Sequence, residues 1–153
     1  MKKLNILLIG GTKDASNITK HIKEKYDSYI LTTTTTEYGS KLAIESGSDD
    51  TIAKPLLKDE FITLIETNEF NLLIDATHPY ASHITQTTVS LSKLFNITYI
   101  RFERPPSNLD NVDTSRVHEV TSLDEAGKLI ASDFTSGNVL HLAGANTMEA
   151  ILK

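Results

Sequence analysis

Leu4-Asn5-Ile6-Leu7-Leu8-Ile9-Gly10-Gly11-Thr12-Lys13-Asp14-Ala15 is the stretch on which the reading of the whole chain turns. A continuous apolar run that halts at two glycines is the pattern of a strand buried on both faces of a parallel sheet and followed by a tight turn. Ala15, Ile18 and Ile22 then recur at steps of three and four, which predicts an amphipathic helix over about residues 13 to 25 covering that sheet. Glycines at such a turn allow a diphosphate to approach the backbone, where free N–H groups and the helix dipole stabilise its charge. Gly10, Gly11 and Thr12 are therefore candidate phosphate-binding residues, with Thr12 adding a hydroxyl. The spacing is not G-x-G-x-x-G, and a plain strand-to-helix turn is the alternative reading.

Outward from this segment, strands and helices alternate. Tyr29 to Thr35 reads as a second strand, because tyrosine, isoleucine and threonine favour the pleated backbone. A short helix near Ser40 to Ser46, a brief strand at Thr51 to Ala53 and a helix from Lys58 to Asn68 follow. Leu72-Leu73-Ile74 gives a fourth strand, residues of about 81 to 95 a helix, and Ile97 to Phe102 a fifth strand stopped by Pro105-Pro106. Such alternation predicts right-handed crossovers and an α/β fold, a Rossmann-like parallel sheet with flanking helices over residues 1–104. Residues 105–116 are polar and irregular and read as a linker. From 117 to 153 a partial second α/β domain is expected. Its elements are strands at Val117 to Val120 and Asn138 to Leu142, a helix striped by Leu123, Ala126, Leu129 and Ile130, and a last helix opened by Ala143-Gly144-Ala145-Asn146. These are too few for an independent doubly wound sheet. The segment is expected either to pack on the first domain or to open a longer design.

Composition narrows the function. The 153 residues carry 20 acids against 15 bases, a net charge of -5, so no global field attracts a phosphate backbone and nucleic acid is not expected as a partner. Zero cysteines exclude thiolate nucleophiles, disulfides and cysteine-ligated metals, and fit a reducing compartment. The apolar run after Met1-Lys2-Lys3 is too short for an export signal or a membrane span, so the expected location is the cytoplasm. Nineteen threonines and no tryptophan suggest strands with small polar ends.

Three further segments carry candidate chemistry. At the end of strand two, Thr32 to Thr36, Glu37, Tyr38 and Gly39 occupy the place of a dinucleotide's adenosine ribose, and Thr34 is counted among the cofactor-binding residues. Glu37 aimed at the ribose selects NAD, whereas hydroxyls beside Lys41 tolerate a 2′-phosphate; both residues also fit a solvated loop, and NADH and NADPH both stay open. Asp75-Ala76-Thr77-His78-Pro79-Tyr80-Ala81 lies where a strand runs out at the sheet's carboxyl edge. Asp75 can orient a neighbouring backbone, while Thr77 and His78 can donate to phosphate or carboxylate. His83, five residues on, sits about 140° from His78 if both are helical, which is not a metal-binding pair, and no metal is expected. Arg101 and Arg104, at the end of strand five, can clamp carboxylates, or else pair with Glu103 or Asp75 as an edge salt bridge.

The segments LLIGGTKDA, EYGSKLA after the threonine run, LLIDATHPYA and YIRFERPP together resemble the precorrin-6A reductases of cobalamin (vitamin B12) biosynthesis. The resemblance implies NAD(P)H-dependent reduction of precorrin-6A, or its cobalt complex, to the dihydro form, with residues 1–104 as the nicotinamide-dinucleotide-binding domain. It implies NADPH or NADH on Gly10, Gly11 and Thr12, with Thr77, His78 and Tyr80 beside the nicotinamide or the macrocycle. Arg101 and Arg104 would meet the carboxylates of a tetrapyrrole substrate. A non-catalytic nucleotide-binding fragment, or another small Rossmann oxidoreductase, is the alternative. Gly11→Val is expected to weaken nucleotide binding, measured by titration against the wild-type chain, because a side chain would occupy the space of the diphosphate; unchanged affinity would contradict the reading of the glycine turn.

Overall fold

The computed structural model of the chain describes residues 3–105, 113–134, 136–143 and 147–151. The apolar run at the N-terminus forms the central strand β1 (Leu4–Ile9), whose Ile6, Leu7 and Leu8 are wholly buried. Burial on both faces is what a strand of unbroken apolar residues requires. Four more strands join it in parallel: β2 (Ser28–Thr34), β3 (Asp50–Ala53), β4 (Leu72–Asp75) and β5 (Thr98–Arg101), in the order β3-β2-β1-β4-β5.

The helices lie between successive strands as α1 (Lys13–Lys25), α2 (Glu37–Glu45), α3 (Lys58–Thr67) and α4 (Ser82–Leu94). Alternate residues of the strands feed two cores. Ile6, Leu8, Ile30 and Ile74 meet Ala15, Ile18 and Ile22 of α1 on one face. Leu7, Ile9, Leu31 and Leu73 meet Phe61 and Ile65 of α3 and Leu91 of α4 on the other. The pattern is the period-2 alternation of strands meeting the 3.6-residue period of helices.

Local chemistry sets the helix starts. Thr12 caps α1 by accepting the Ala15 N–H, and Thr36, last of the threonine run, caps α2 by accepting the Gly39 N–H at 3.1 Å. That cap starts α2 three residues earlier than the apolar pattern alone suggested. The Glu60 carboxylate accepts the Leu57 N–H at 2.8 Å and so fixes the start of α3.

The chain divides into two compact units, Met1–Pro105 and Pro106–Lys153. Among its described residues the second contains a 3-10 turn at Thr114–Arg116 and helices α5 (Leu123–Asp133) and α6 (Met148–Ile151). Ser122 caps α5, and Glu125 reaches back to the Thr121 N–H and hydroxyl. The two expected strands here are corrected: neither Val117–Val120 nor Asn138–Leu142 is a strand. Short apolar runs become strands only where another strand pairs with them. No partner strand exists among the described residues of this unit, and Leu140 and Leu142 stand exposed. Residues 106–112 of the expected linker and residues 144–146 of the expected helix opening lie outside the described residues.

Leu73, 1% exposed between β1 and the helices of its face, is a direct test of this packing. Leu73→Ala is expected to lower the unfolding free energy by about 2–5 kcal/mol, by lost burial and the cavity left behind. Urea unfolding measures it, and a change below about 0.5 kcal/mol would contradict the core position.

Candidate functional site

The strand order places β1 beside both β2 and β4, so the chain reverses direction across the sheet between β3 and β4. Loops leaving β1 and β4 diverge to opposite faces there, and open α/β sheets bind ligands in the crevice this creates at the carboxyl ends. A cleft of about 410 Å³ occupies that place. The β1–α1 turn contributes Gly10, Gly11 and Thr12, and the end of β2 contributes Thr33, Thr34 and Thr35. Thr77, His78, Ala81, His83 and Ile84 line it from the β4–α4 side. Lys54, Pro55 and Leu56 follow β3, and Phe61 comes from α3.

Backbone geometry explains the glycines. Gly10 has φ +144°, and a Cβ there would lie 2.7 Å from the Ala76 carbonyl oxygen. The exits of β1 and β4 therefore touch backbone to backbone, as only glycine permits. A Cβ at Gly11 would lie 3.2 Å from Thr34 Cβ and 3.4 Å from Gly39 Cα. The reason for glycine at position 11 is thus close packing of the turn on β2 and α2, and the effect of Gly11→Val would reach a ligand through displacement of that turn.

The hydroxyls are largely committed within the protein. Thr12 Oγ1 donates to the Ala76 carbonyl at 3.2 Å, and Thr34 Oγ1 donates to the Thr36 carbonyl at 2.9 Å. In the first turn of α1 the N–H groups of Lys13 and Asp14 are among the donors that a helix start leaves without an intrahelical partner. Glu37 stands exposed in the first turn of α2, and Lys41 lies 4.0 Å from Glu45 on the surface.

Asp75 is the centre of the other wall. It is 0% exposed, yet five donors reach its carboxylate. Oδ1 accepts the Thr77 N–H at 3.0 Å and the Thr77 hydroxyl at 2.7 Å. Oδ2 accepts the hydroxyls of Thr85 and Tyr99, each at 2.9 Å, and Arg101 Nη1 at 2.7 Å. Burial acts to raise the Asp75 carboxyl, but the bonds from Thr77, Thr85 and Tyr99 outweigh it and hold the group below its ordinary value of 3.8. Burial, and then the bond to Asp75, push the Tyr99 phenol above its ordinary range.

The nine expected site residues separate into two groups. Gly10, Gly11, Thr12, Thr34, Thr77 and His78 meet at the cleft. Tyr80, Arg101 and Arg104 are not among its lining residues. Tyr80 is 90% exposed, its ring centroid 5.0 Å from that of His78. Arg101 takes the salt-bridge alternative, bonded to Asp75, to Thr85 and, through Nε, to Glu103 at 2.7 Å. Arg104 pairs with neither anticipated acid but with Asp14 in the first turn of α1, at 2.6 Å.

His83 and the Lys54–Leu56 loop were missed. His78 precedes α4, which begins at Ser82, so the helical angle assumed between the two histidines does not apply and both reach the cleft. The β3–α3 loop had a usable signal, since any loop leaving a parallel strand at its carboxyl end reaches the same rim. Among the described residues no group of three His, Cys, Asp or Glu could hold a metal ion, and no helix is long and apolar enough to cross a membrane.

Because the Asp75 carboxyl sits lower in the folded than in the unfolded chain, its stabilisation is present above the ordinary value and is lost as pH falls through the depressed one. Tyr99, Arg101 and, behind Arg101, Glu103 are the titratable groups facing it. Asp75→Asn, which leaves Arg101 without its buried counter-charge, is expected to cost about 3–5 kcal/mol at neutral pH. It should also flatten the acid side of the stability profile below about pH 4. Urea unfolding across pH checks both, and an equal acid dependence in variant and wild type would contradict the assignment.

A family model described as Precorrin-6x reductase CbiJ/CobK matches residues 5–153. Cobalt-precorrin-6A reductase of Methanococcus maripaludis is 36% identical over 149 residues, which is 97% of this chain and 57% of that protein. The Methanocaldococcus jannaschii protein of the same name is 34% identical over the same shares. Among solved structures, CobK precorrin-6A reductase matches with a TM-score of 0.65 at 20% identity, covering 82% of this chain and 48% of that one, a likeness of fold. The chain spans little more than half the length of these curated relatives. Its sheet order agrees with the Rossmann-like expectation, and its GGT, DATHPYA and RFERPP segments stand within the matched region; the chain belongs to the precorrin-6x reductase CbiJ/CobK family.

Proposed function

We propose that this chain supplies the dinucleotide-binding part of a reductase that converts precorrin-6A, or its cobalt complex, to the dihydro form with NADH or NADPH. The observation that carries the reading is the position of the cleft, at the carboxyl ends of β1 and β4 and against the start of α1. Its lining suits the group. Uncharged threonines and backbone amides face a floor of Ile9, Leu56, Phe61 and Ile84, so apolar ring faces and an anionic linker can both be accommodated.

On this reading the Lys13 and Asp14 N–H groups and the dipole of α1 hold the diphosphate. Arg104 draws the Asp14 carboxylate aside and offsets a negative charge in that first turn. No carboxylate terminates β2; Thr33, Thr34 and Thr35 stand there, so discrimination between ribose and its 2′-phosphate does not rest on an acid at the strand end. The cofactor, when bound, supplies the hydride of the reduction. The protein's part is to fix its orientation beside His78 and to exclude water from the apolar floor. The tetrapyrrole is the substrate partner in this reading, and the cytoplasm is its compartment.

Titration of the chain with NADH and with NADPH, followed by nicotinamide fluorescence, is expected to show saturable binding of at least one. Anaerobic mixing of the bound chain with precorrin-6A or its cobalt form then tests turnover through macrocycle-dependent loss of reduced-nicotinamide absorbance. Failure to bind either nucleotide would contradict the cofactor reading; binding without macrocycle-dependent oxidation would confine this chain's part to holding the cofactor, and macrocycle-dependent oxidation would assign it the reduction as well.

A further inference from the structure

The two oxygens of the Asp75 carboxylate hold opposite ends of one nine-residue segment. Oδ1 receives both donors of Thr77, and Oδ2 receives the Thr85 hydroxyl. Between these anchors lie His78, Ala81, His83 and Ile84, the residues this segment gives to the cleft together with Thr77. Within the segment the bonds continue: Ala81 N–H donates to the His78 carbonyl at 2.8 Å, Thr85 N–H donates to the Ala81 carbonyl at 3.2 Å, and Tyr80 N–H donates to His78 Nδ1 at 3.3 Å. Arg101 Nη1 touches Asp75 Oδ2 and Thr85 Oγ1, each at 2.7 Å, and closes the ring from β5. An exposed imidazole on a turn is ordinarily free to rotate. Here, Nδ1 is occupied as an acceptor, which leaves the proton of the neutral ring on Nε2.

We infer that Asp75 is a positioning residue for nicotinamide-dinucleotide binding, acting through Thr77 and Thr85 to fix the 77–85 wall and the ring of His78. The inference rests on the cofactor reading above for its ligand, and on the hydrogen bonds of the 77–85 segment for its mechanism. It reassigns Arg101, which secures the anchor from behind and is 15% exposed in its side chain. It also explains why the most polar residue of β4 is its most buried: a carboxylate that accepts five bonds stays put, whereas a neutral side chain of that size offers acceptors on only one branch.

Thr77→Val and Thr85→Val keep shape and leave the Asp75–Arg101 pair in place, so both variants are expected to fold, which far-UV circular dichroism verifies. Each is expected to raise the Kd for the nucleotide that the wild type binds, NADH or NADPH, about five- to tenfold. The double variant is expected to be weaker than wild type by clearly less than the product of the two, because both changes release one segment. In the absence of nucleotide, the imidazole nitrogen NMR signals of neutral His78 are expected to move from a dominant Nε2–H form toward a tautomer mixture. A change that only lowered stability would not move that signature in the folded protein. Unchanged affinity and an unchanged His78 tautomer in folded variants would overturn the inference. If the wild type binds neither nucleotide, the cofactor reading falls, and the tautomer alone decides whether Asp75 positions His78.

Discussion

A buried carboxylate, Asp75 at the last position of β4, is the constraint on which the site depends. Placing that charge in the sheet would be costly without partners, and the chain meets the requirement by bringing four donor residues from three elements. Thr77 comes from the turn, Thr85 from α4, and Tyr99 and Arg101 from β5. The register Asp75 to Arg101 in the β4–β5 pair places acid and base side by side before any side chain is considered. The same residue also sits opposite Ile9 of β1, one step before the glycine turn. One position therefore joins the rim of the cleft to the middle of the sheet.

The other half of the site depends on the absence of side chains. Gly10 lets the exits of β1 and β4 approach until a Cβ would collide with the Ala76 carbonyl, while Gly11 and Gly39 bring the first turn against the second crossover. Thr12 then ties the start of α1 to Ala76. These contacts hold a helix start against the crevice with uncharged groups. An anion drawn there would meet the amide dipoles of that helix start, while Lys54, which also lines the cleft, is paired with Glu60.

Much of the fold was legible because its signals are physical. The LNILLI run must be buried on both faces, its neighbours alternate with amphipathic helices, and parallel pairing with crossovers follows. The positions of Gly10, Gly11, Thr12, Thr34, Thr77 and His78 at the rim follow from the strand ends alone. The arginines were not legible in the same way. Arg101 has the sequence signature of a carboxylate clamp whether its partner is a ligand or Asp75, and only the strand register distinguishes the two. Arg104 reaches Asp14, 90 residues away, which no local pattern encodes. The expected strands at Val117–Val120 and Asn138–Leu142 failed for a related reason: β-propensity describes a surface that a neighbouring strand must supply.

Amide chemical-shift mapping of the chain on addition of NADH or NADPH is the most direct test of where the ligand lies. A nucleotide across the β1–β4 rim is predicted to perturb Gly10 to Asp14, Thr33 to Thr35 and Thr77 to Ile84 together, and to leave the amino-terminal edge near Asn5 and Asn71 unmoved. Perturbations confined to that opposite edge, or none at saturating nucleotide, would contradict the account.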